Sequence, residues 1–343
     1  MTHTRNDSLP AKLPKRVTLQ DIADVAGVQK MVVSNALNGT RSVAPATKEK
    51  IQRIAEELHY IPNFAARALT NGSTNIIAVV SGPVNEFYYG GMVQLLENIL
   101  SADGYHLMLL RTPREIETLV KATGKLAVDG VIAVDMLSLV NEFRSHPTVP
   151  CVSISTTQQS LVDNVFVDLS HAVAQALELM LCAGRQRIAY LVTADALAYE
   201  TEVRAGTYRK QMQKAGRDVE IINVTTDDID QVGIRFKSYI EHNGCPDALL
   251  CQNDDTAMSA FGVLREMGYA IPTDVLLVGC DDQRPMKYFD PPLSTIMQPV
   301  EEIACLAWKF LRQRLAQPHL PHQQITVQGN LIVRESLLAP SRV

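Results

Sequence analysis

The sequence predicts a small all-α unit followed by a much larger parallel α/β body. Two short helical patterns meet at Gly27 with almost no chain between them. From Ile76 onward, apolar runs alternate with helical segments. Positive charge also collects at one end of a 343-residue chain whose overall charge is -5.

The first observation lies in residues 18–39, TLQDIADVAGVQKMVVSNALNG. Thr18 and Asp21 stand three apart, as in a capping box with Asp in place of Glu, and Val17 can staple the turn. Leu19, Ile22, Ala23 and Ala26 recur at helical spacing, and Gly27 supplies the backbone freedom for a sharp turn. Val28, Val33, Ala36 and Leu37 form a second apolar face that ends at Asn38-Gly39. Ala23 is small where two helices must cross, and Lys30, Met31, Ser34, Asn35 and Asn38 share the polar side of the second helix. This pattern is that of a helix-turn-helix, which presents its second helix to double-stranded DNA. The structural alternative is an ordinary helical hairpin inside a core.

A third helix is signalled by Pro45, with Ile51, Ile54, Ala55 and Leu58 on one face and Lys48, Glu49, Lys50 and Arg53 on the other. After Tyr60-Ile61-Pro62 comes NFAARALTNGS, in which Asn63 can cap and Asn71-Gly72 terminates. A helix of about two turns is marginal alone in water, so it needs a partner.

The order TLQDIA, AGV, VSNALNG, a Pro-led helix, then YIPN and AARAL resembles the headpiece and hinge of the lactose and galactose repressor (LacI/GalR) family. The resemblance runs from about residue 17 to the RES at Arg334, Glu335 and Ser336. It implies an all-α headpiece and hinge helix, then a periplasmic-binding-protein-like α/β domain of two doubly wound subdomains around a ligand cleft. In such hinges two copies of Leu69 wedge a central base step from the minor groove, Ala66 packs between paired hinge helices, and Asn63 starts the helix. Unstacking a step costs a few kcal/mol, which added contacts offset. The boundaries expected are a flexible arm at 1–16, headpiece at 17–62, hinge and linker at 63–75, body at 76–338 and a tail at 339–343.

Charge supports that division. Residues 1–72 hold ten Lys plus Arg against six Asp plus Glu, a net +4, while the rest holds 22 against 31, a net -9. Phosphate attraction is thus confined to one end. At 46% hydrophobic, the chain has ample material for cores. The polar opening residues do not read as a signal peptide, and no stretch of about 20 apolar residues spans a bilayer, so the expectation is cytoplasmic. Six scattered cysteines without CxxC spacing read as buried, reduced thiols, and no cofactor or metal is implied.

In the body the runs IIAVVSG, YHLMLLR, DGVIAVD, VPCVSIS, RIAYLVTA, VEIINV, DALLCQND and VLLVGCDD read as parallel strands. Helices fit between them at residues 88–103, 170–183, 201–215 and 256–267. The pattern alone permits one large sheet or two. Ligands in such sheets sit beyond the carboxyl ends of strands, which singles out Asp168, Asn253, Asp254, Asp281 and Asp282, with Arg204 opening a helix. The family resemblance implies that Asp168, Arg204, Asn253 and Asp281 line the cleft and hydrogen-bond a small effector. Acceptors and a guanidinium suit vicinal hydroxyls. Asp254 and Asp282 read equally as helix caps. Phe87 matches the place of a cleft aromatic, with core packing as the alternative. The aromatic expected near TTDDIDQVG is missing, since Asp228 or Ile229 stands there, and an acid disfavours an anionic ligand.

The headpiece also departs from the family's Ser-x-x-Thr-Val-Ser-Arg. Gln29, Val32 and Asn35 replace Ser, Thr and Arg. By position Lys30 and Met31 reach major-groove base edges with Asn35, while Thr18, Ser34 and Asn38 contact phosphates and set register. The reading is a homodimeric regulator on a palindromic operator, most simply a repressor, controlled by a small effector, a sugar or related metabolite. The competing classes are a transport-associated binding protein and an α/β enzyme. No Walker loop, nucleophile elbow or GxGxxG supports the enzyme.

Overall fold

The computed structural model describes residues 17–38, 42–60, 73–111, 128–136, 149–157, 161–193, 202–226 and 228–338. The chain divides into two compact units, Met1–Arg67 and Ala68–Val343. The arm, the tail and the hinge residues Asn63, Ala66 and Leu69 lie outside the described residues.

The first unit holds α1 (Leu19–Ala26), α2 (Lys30–Asn38) and α3 (Pro45–Glu57). The capping box forms: Thr18 Oγ1 accepts from Asp21 N at 3.3 Å, and Asp21 Oδ2 accepts from Thr18 N at 2.7 Å. Gly27 closes α1 at φ +68°, a left-handed conformation that strains any side chain. Ile22, Ala23, Ala26, Val33, Ala36, Ile51, Ile54 and Ala55 make a small continuous core. One expectation shifts here. Lys50 does not simply face outward, because its Nζ donates to the Ala26 carbonyl at 2.9 Å and satisfies the end of α1.

The second unit contains two sheets. The first is built from β1 (Ile76–Val80), β2 (His106–Leu110), β3 (Gly130–Val134), β4 (Cys151–Ser155), β5 (Asp163–Asp168) and, from far along the chain, β11 (Gln324–Gln328). Its order is β11-β5-β4-β3-β1-β2, parallel throughout. The second comprises β6 (Ile188–Val192), β7 (Glu220–Asn223), β8 (Ala248–Cys251), β9 (Leu276–Cys280), β10 (Ser294–Met297) and β12 (Asn330–Ile332). Its order is β12-β10-β9-β8-β6-β7, with β12 antiparallel to β10. The helices around them are α4 (Phe87–Ala102), α5 (Ser170–Cys182), α6 (Val203–Lys214), α7 (Ile229–Asn243), α8 (Asp254–Glu266) and α9 (Val300–Ala316).

Two sheets form instead of one because the chain leaves each before it is complete. It crosses after β5 through α5, returns after β10 through α9, and crosses again between β11 and β12 with only Gly329 between them. Each crossover helix packs on the sheet it leads to, α5 beside β12 and β8, α9 over β3, β4 and β5. Gly130 is required beneath α9, since a Cβ there would stand 2.8 Å from the Leu311 side chain. Gly329 is likewise closed in by the Leu169 side chain and the Met297 carbonyl.

Among the described residues no helix is long and apolar enough to cross a membrane. All six cysteines are free. Cys151, Cys251 and Cys280 are buried as expected, but Cys182 and Cys305 are exposed on the outer faces of α5 and α9.

Candidate DNA-reading face and effector cleft

In the headpiece the apolar face of α2 is committed to the core through Val33 and Ala36, which turns the opposite side outward. Lys30 is exposed and Met31 is 64% exposed, an uncommon state for a large apolar side chain. Ser34 and Asn35 are half-buried on the same helix, and Thr18 is exposed at the start of α1. The side chain of Asn38 lies outside the described residues.

In the body each sheet has one point where strand order reverses. In the first it falls between β1 and β3, in the second between β6 and β8. The carboxyl ends of these strands are where a doubly wound sheet exposes unpaired backbone and polar side chains. At the first point stand Ser81 after β1 and Asp135 after β3; at the second stand Thr193 after β6 and Gln252 after β8.

Arg204 stands at the second of these points. Its Nη1 donates to the Gln252 carbonyl at 2.6 Å and its Nε to Glu202 Oε1 at 2.8 Å. Glu202 is buried and caps α6 by accepting from Ala205 N at 2.9 Å, so this ion pair is fixed to the first turn of the helix. Gln252 is locked in turn, its Oε1 accepting from Thr193 N at 2.8 Å and Thr193 Oγ1 at 3.1 Å. The guanidinium therefore stands on a rigid support.

Two carboxylates from opposite subdomains face it. Burial pushes Asp281 up to about 7, against the pull of Arg204 and a 2.7 Å hydrogen bond from Gln298 Nε2. Burial likewise pushes Asp135 up to about 6, against Arg204, with Glu202 adding repulsion. Both backbones are left-handed, with φ +54° at Asp135 and φ +114° at Asp281. Strain of this kind costs of order 1–3 kcal/mol per residue and persists where the surroundings enforce it. Tyr88 and Tyr89, edge-to-face at 5.2 Å, lie within the field of Asp135, Asp281 and Arg204, and desolvation raises both phenols. Gly82 makes room for this, since a Cβ there would stand 2.5 Å from the Tyr89 ring. Three buried polar atoms around these groups have no partner: Ser81 Oγ, Tyr190 Oη and Gln298 Oε1.

The sequence-derived candidates separate accordingly. Arg204 and Asp281 stand together. Asn253 caps α8, its Oδ1 accepting from Thr256 N at 2.8 Å, which leaves its amide NH2 and one oxygen lone pair to offer. Asp168 ends β5 and binds locally, accepting from Ser170 N at 2.9 Å and Gln328 Nε2 at 3.3 Å. These hydrogen bonds, with the His171 charge, hold its carboxyl below the ordinary value although burial works the other way. The Phe87 ring is 57% exposed; its neighbours Tyr88 and Tyr89 turn toward the polar cluster instead.

Asp254 and Asp282 are not caps. Asp254 is fully buried, accepting from Gln283 N and Thr295 Oγ1 at 2.7 Å each, and Asp282 pairs with Arg334 Nη2 at 2.6 Å. Asp228 is the cap of α7, accepting from Asp230 N at 3.0 Å. Sequence reasoning missed Asp135, Tyr88, Glu202 and Gln298. Asp135 was within reach, because it ends the run DGVIAVD just as Asp281 ends VLLVGCDD.

A helix-turn-helix head joined to two parallel subdomains with a desolvated polar cluster at their switch points defines a class, the transcription regulators that bind DNA and answer to a small molecule. Residues 18–63 match the description "Bacterial regulatory proteins, lacI family", and residues 177–337 match a "Periplasmic binding protein-like domain". The chain belongs to the LacI family, and it is a DNA-binding transcription regulator, not an enzyme. It is 29% identical over 342 residues to the HTH-type transcriptional regulator CelR of Thermobifida fusca, covering 94% of this chain and 98% of that one. It is 28% identical over 308 residues to the HTH-type transcriptional repressor PurR of Vibrio atlanticus (strain LGP32), covering 87% and 92%. Among solved structures, a CelR–cellobiose complex aligns with TM-score 0.65 at 26% identity over 94% of this chain and all of that one. The lac repressor dimer bound to operator and the anti-inducer ONPF shares the fold, with TM-score 0.78 at 22% identity over 95% and 100%.

Proposed function

We propose that this regulator is a cytoplasmic repressor that binds a palindromic operator as a homodimer and releases or grips it according to a neutral polyhydroxyl effector, a sugar or close relative. The effector occupies the cleft between the two sheets. Arg204 and Asp281 hold vicinal hydroxyls, Asp135 accepts from the opposite subdomain, Tyr88 supplies an aromatic wall, and the Asn253 amide and Asp168 border the site. On the DNA side Lys30, Met31 and Asn35 read bases, Thr18, Ser34 and Asn38 take phosphates, and the hinge residues Asn63, Ala66 and Leu69 enter the minor groove. Residues 17–62 act as the head, 63–75 as hinge and linker, and 76–338 as effector and dimerisation domain.

The observation that carries the effector reading is the cluster of Asp135, Asp281 and Arg204 with unpartnered Gln298 Oε1 and Tyr190 Oη. A buried polar group without a partner costs roughly 1–3 kcal/mol, and a ligand rich in hydroxyls supplies donors and acceptors together. Arg204 is already paired with Glu202 and flanked by two further acids, so a sugar phosphate is disfavoured. Cellobiose in the CelR complex and ribose in a LacI-family regulator from Enterococcus faecium are ligands of the expected chemistry.

The test is a thermal-shift screen of the full-length protein against neutral mono- and disaccharides and their phosphates. Saturation at 100 times the Kd adds about 2.7 kcal/mol of stability, well within detection. A neutral sugar should raise the Tm of the wild type and not of Asp281→Asn. A phosphorylated sugar binding more tightly than its parent would overturn the reading.

A further inference from the structure

A cavity lies outside the cleft, along the free edge of the second sheet. β7 is the outermost strand there, and α7 follows it. Val232, Phe236 and Ile240 turn one face of α7 into the core. Arg235, Ser238, Tyr239 and His242, spaced three and four apart, form the neighbouring stripe, and with Ile222 and Asn223 of β7 they line a groove of about 330 Å³. That is the lower end of the range for small-molecule sites.

The lining is selective in charge. After residue 72 the chain holds more acids than bases, 31 against 22, yet among the described residues no carboxylate lines this groove, which carries Arg235 and His242. Glu220, at the start of β7, is committed to Arg187, whose Nε and Nη2 meet it at 2.7 Å each, and to Tyr239 Oη at 2.7 Å. Arg235 uses Nη1 within the protein, so among the described residues its Nε and Nη2 keep their protons to offer. The Asn223 amide NH2 and the Ser238 hydroxyl are likewise open, since Asn223 bonds through Oδ1 and Ser238 through its carbonyl. A guanidinium edge beside an amide and a hydroxyl suits an oxyanion, and the Tyr239 ring and Ile222 suit an apolar remainder.

The groove also borders a strained turn. Thr225, the second residue after β7, has φ +51°, an uncommon conformation for a β-branched residue. Arg235 Nη1 holds it by donating to the Val224 and Thr225 carbonyls at 2.8 Å each and to Thr225 Oγ1, and Asn223 Oδ1 accepts from Thr225 N at 2.8 Å. Both holding side chains line the groove. The turn leads into the cap of α7 at Asp228. It lies at the carboxyl end of β7, the same end at which Thr193 and Gln252 follow the parallel strands β6 and β8.

We propose that this groove is a second ligand site, for a small organic oxyanion, a phosphate ester or a carboxylate, whose occupancy reaches the cleft end of the second sheet through Arg235 and the Thr225 turn. A ligand can shift two arrangements only through contacts that differ between them, and an anion that draws on Arg235 and Asn223 changes the bonds that hold the turn. The groove complements the cleft, where the acids around Arg204 disfavour an anion. The proposal goes beyond the sugar assignment and is tested without any sugar, so either can fail alone.

The test titrates phenyl phosphate, benzoate and neutral benzyl alcohol into the full-length protein by calorimetry and follows amide hydrogen exchange of the peptide over residues 223–226. At least one anion should bind about tenfold or more tighter than benzyl alcohol and change exchange of the turn about threefold or more. A preference for phenyl phosphate identifies the phosphate ester as the natural chemistry, and a preference for benzoate the carboxylate. The Ser238 side chain takes no part in the Arg235 clamp, so replacing it alters the charge of the groove and leaves the clamp in place. Ser238→Asp should weaken the anion about tenfold and Ser238→Lys should tighten it about threefold. Arg235→Gln should abolish anion binding and speed exchange of the turn. Failure of both anions to bind at about 10 mM, affinities no better than that of benzyl alcohol, indifference to Ser238→Asp, or binding that leaves exchange at 223–226 unchanged would each overturn the proposal. If Arg235→Gln does not fold, the two Ser238 variants decide the question by the same readouts.

Discussion

Asp129 grips Thr74 twice with one oxygen, its Oδ1 accepting from the Thr74 backbone N–H at 2.6 Å and from the Thr74 hydroxyl at 2.8 Å. The other oxygen takes Ser73 Oγ at 2.5 Å and Asn75 N at 2.9 Å. Three consecutive residues at the entrance to β1 are thus fastened to the start of β3, with Asn75 turned to φ +54°. One carboxylate anchors the point where the chain enters the body. Asp129→Ala leaves four donors without their acceptor and should lower stability by about 2–4 kcal/mol, while Asp129→Asn should lose less. Urea unfolding monitored on the body checks this. A change below about 1 kcal/mol in Asp129→Ala, close to the noise of extrapolation, counts against the clamp.

Effector affinity should depend on pH through Asp135 and Asp281. Burial raises these two carboxyls to about 6 and about 7, so near pH 6 both hold protons that their unfolded counterparts have lost. With more protons bound in the native state, stability from these groups is present at low pH and falls as pH climbs through about 4 to 8. A polyol donating hydroxyl protons favours the ionised carboxylates, lowers their pKa values and expels protons on binding. Affinity should therefore rise with pH, by at most about tenfold per unit for each proton released. Titration calorimetry in two buffers of different ionisation enthalpy counts the protons, and Asp135→Asn should flatten the profile. A neutral sugar that binds equally well at pH 5.5 and pH 8 contradicts the assignment.

A buried ion pair, Asp163 with Arg314, closes the first subdomain. Arg314 Nη2 and Nε meet Asp163 Oδ1 and Oδ2 at 2.8 and 3.0 Å, and the same guanidinium binds the carbonyls of Pro318, Leu320 and Pro321. It ties the end of α9 to β5 and to the loop that leads into β11. Removing one partner leaves the other charge buried and alone, so Arg314→Met should cost about 3–5 kcal/mol. Replacing both, with Asp163→Asn added, should recover part of that loss in a thermal melt.

Most of the architecture was legible because its signals are local. The capping box at Thr18, the turn at Gly27 and eight apolar runs each announce themselves within a few residues. The split into two sheets was not, since it depends on where the chain crosses, and Gly329 between β11 and β12 carries no pattern of its own. The site was legible in part. Arg204 and Asp281 follow from strand ends and family spacing. Asn253 and Asp168 follow too, but their hydrogen bonds to Thr256 and Ser170 are decided by helix starts that compete for the same oxygens. Tyr88 was hidden behind Phe87 because one residue is 100° of helix rotation, more than the alignment of a short motif can resolve. Gln298 acts through Asp281, far enough along the chain that no spacing rule reveals it, whereas Glu202 works on its near neighbours Arg204 and Ala205 and was within reach.

The specificity of the head should lie in Lys30 and Met31. With Val33 and Ala36 holding α2 in the core, these two exposed side chains at its first turn are what a major groove meets first. Lys30 is a donor-only group and pairs with the O6 and N7 acceptors of guanine; Met31 is apolar and rewards a thymine methyl. Thr18, by contrast, sits at a capping box and offers a contact that any sequence provides. Replacing Lys30 with Ala should relax the operator at one base pair by about 1–3 kcal/mol, and replacing Met31 with Ala should relax a different one, while Thr18→Ser weakens all sequences alike. Selection of duplexes from a randomised pool, at fixed salt because phosphate contacts dominate affinity, separates these outcomes. If both Lys30→Ala and Met31→Ala return the wild-type consensus unchanged, base reading belongs to other residues of the head.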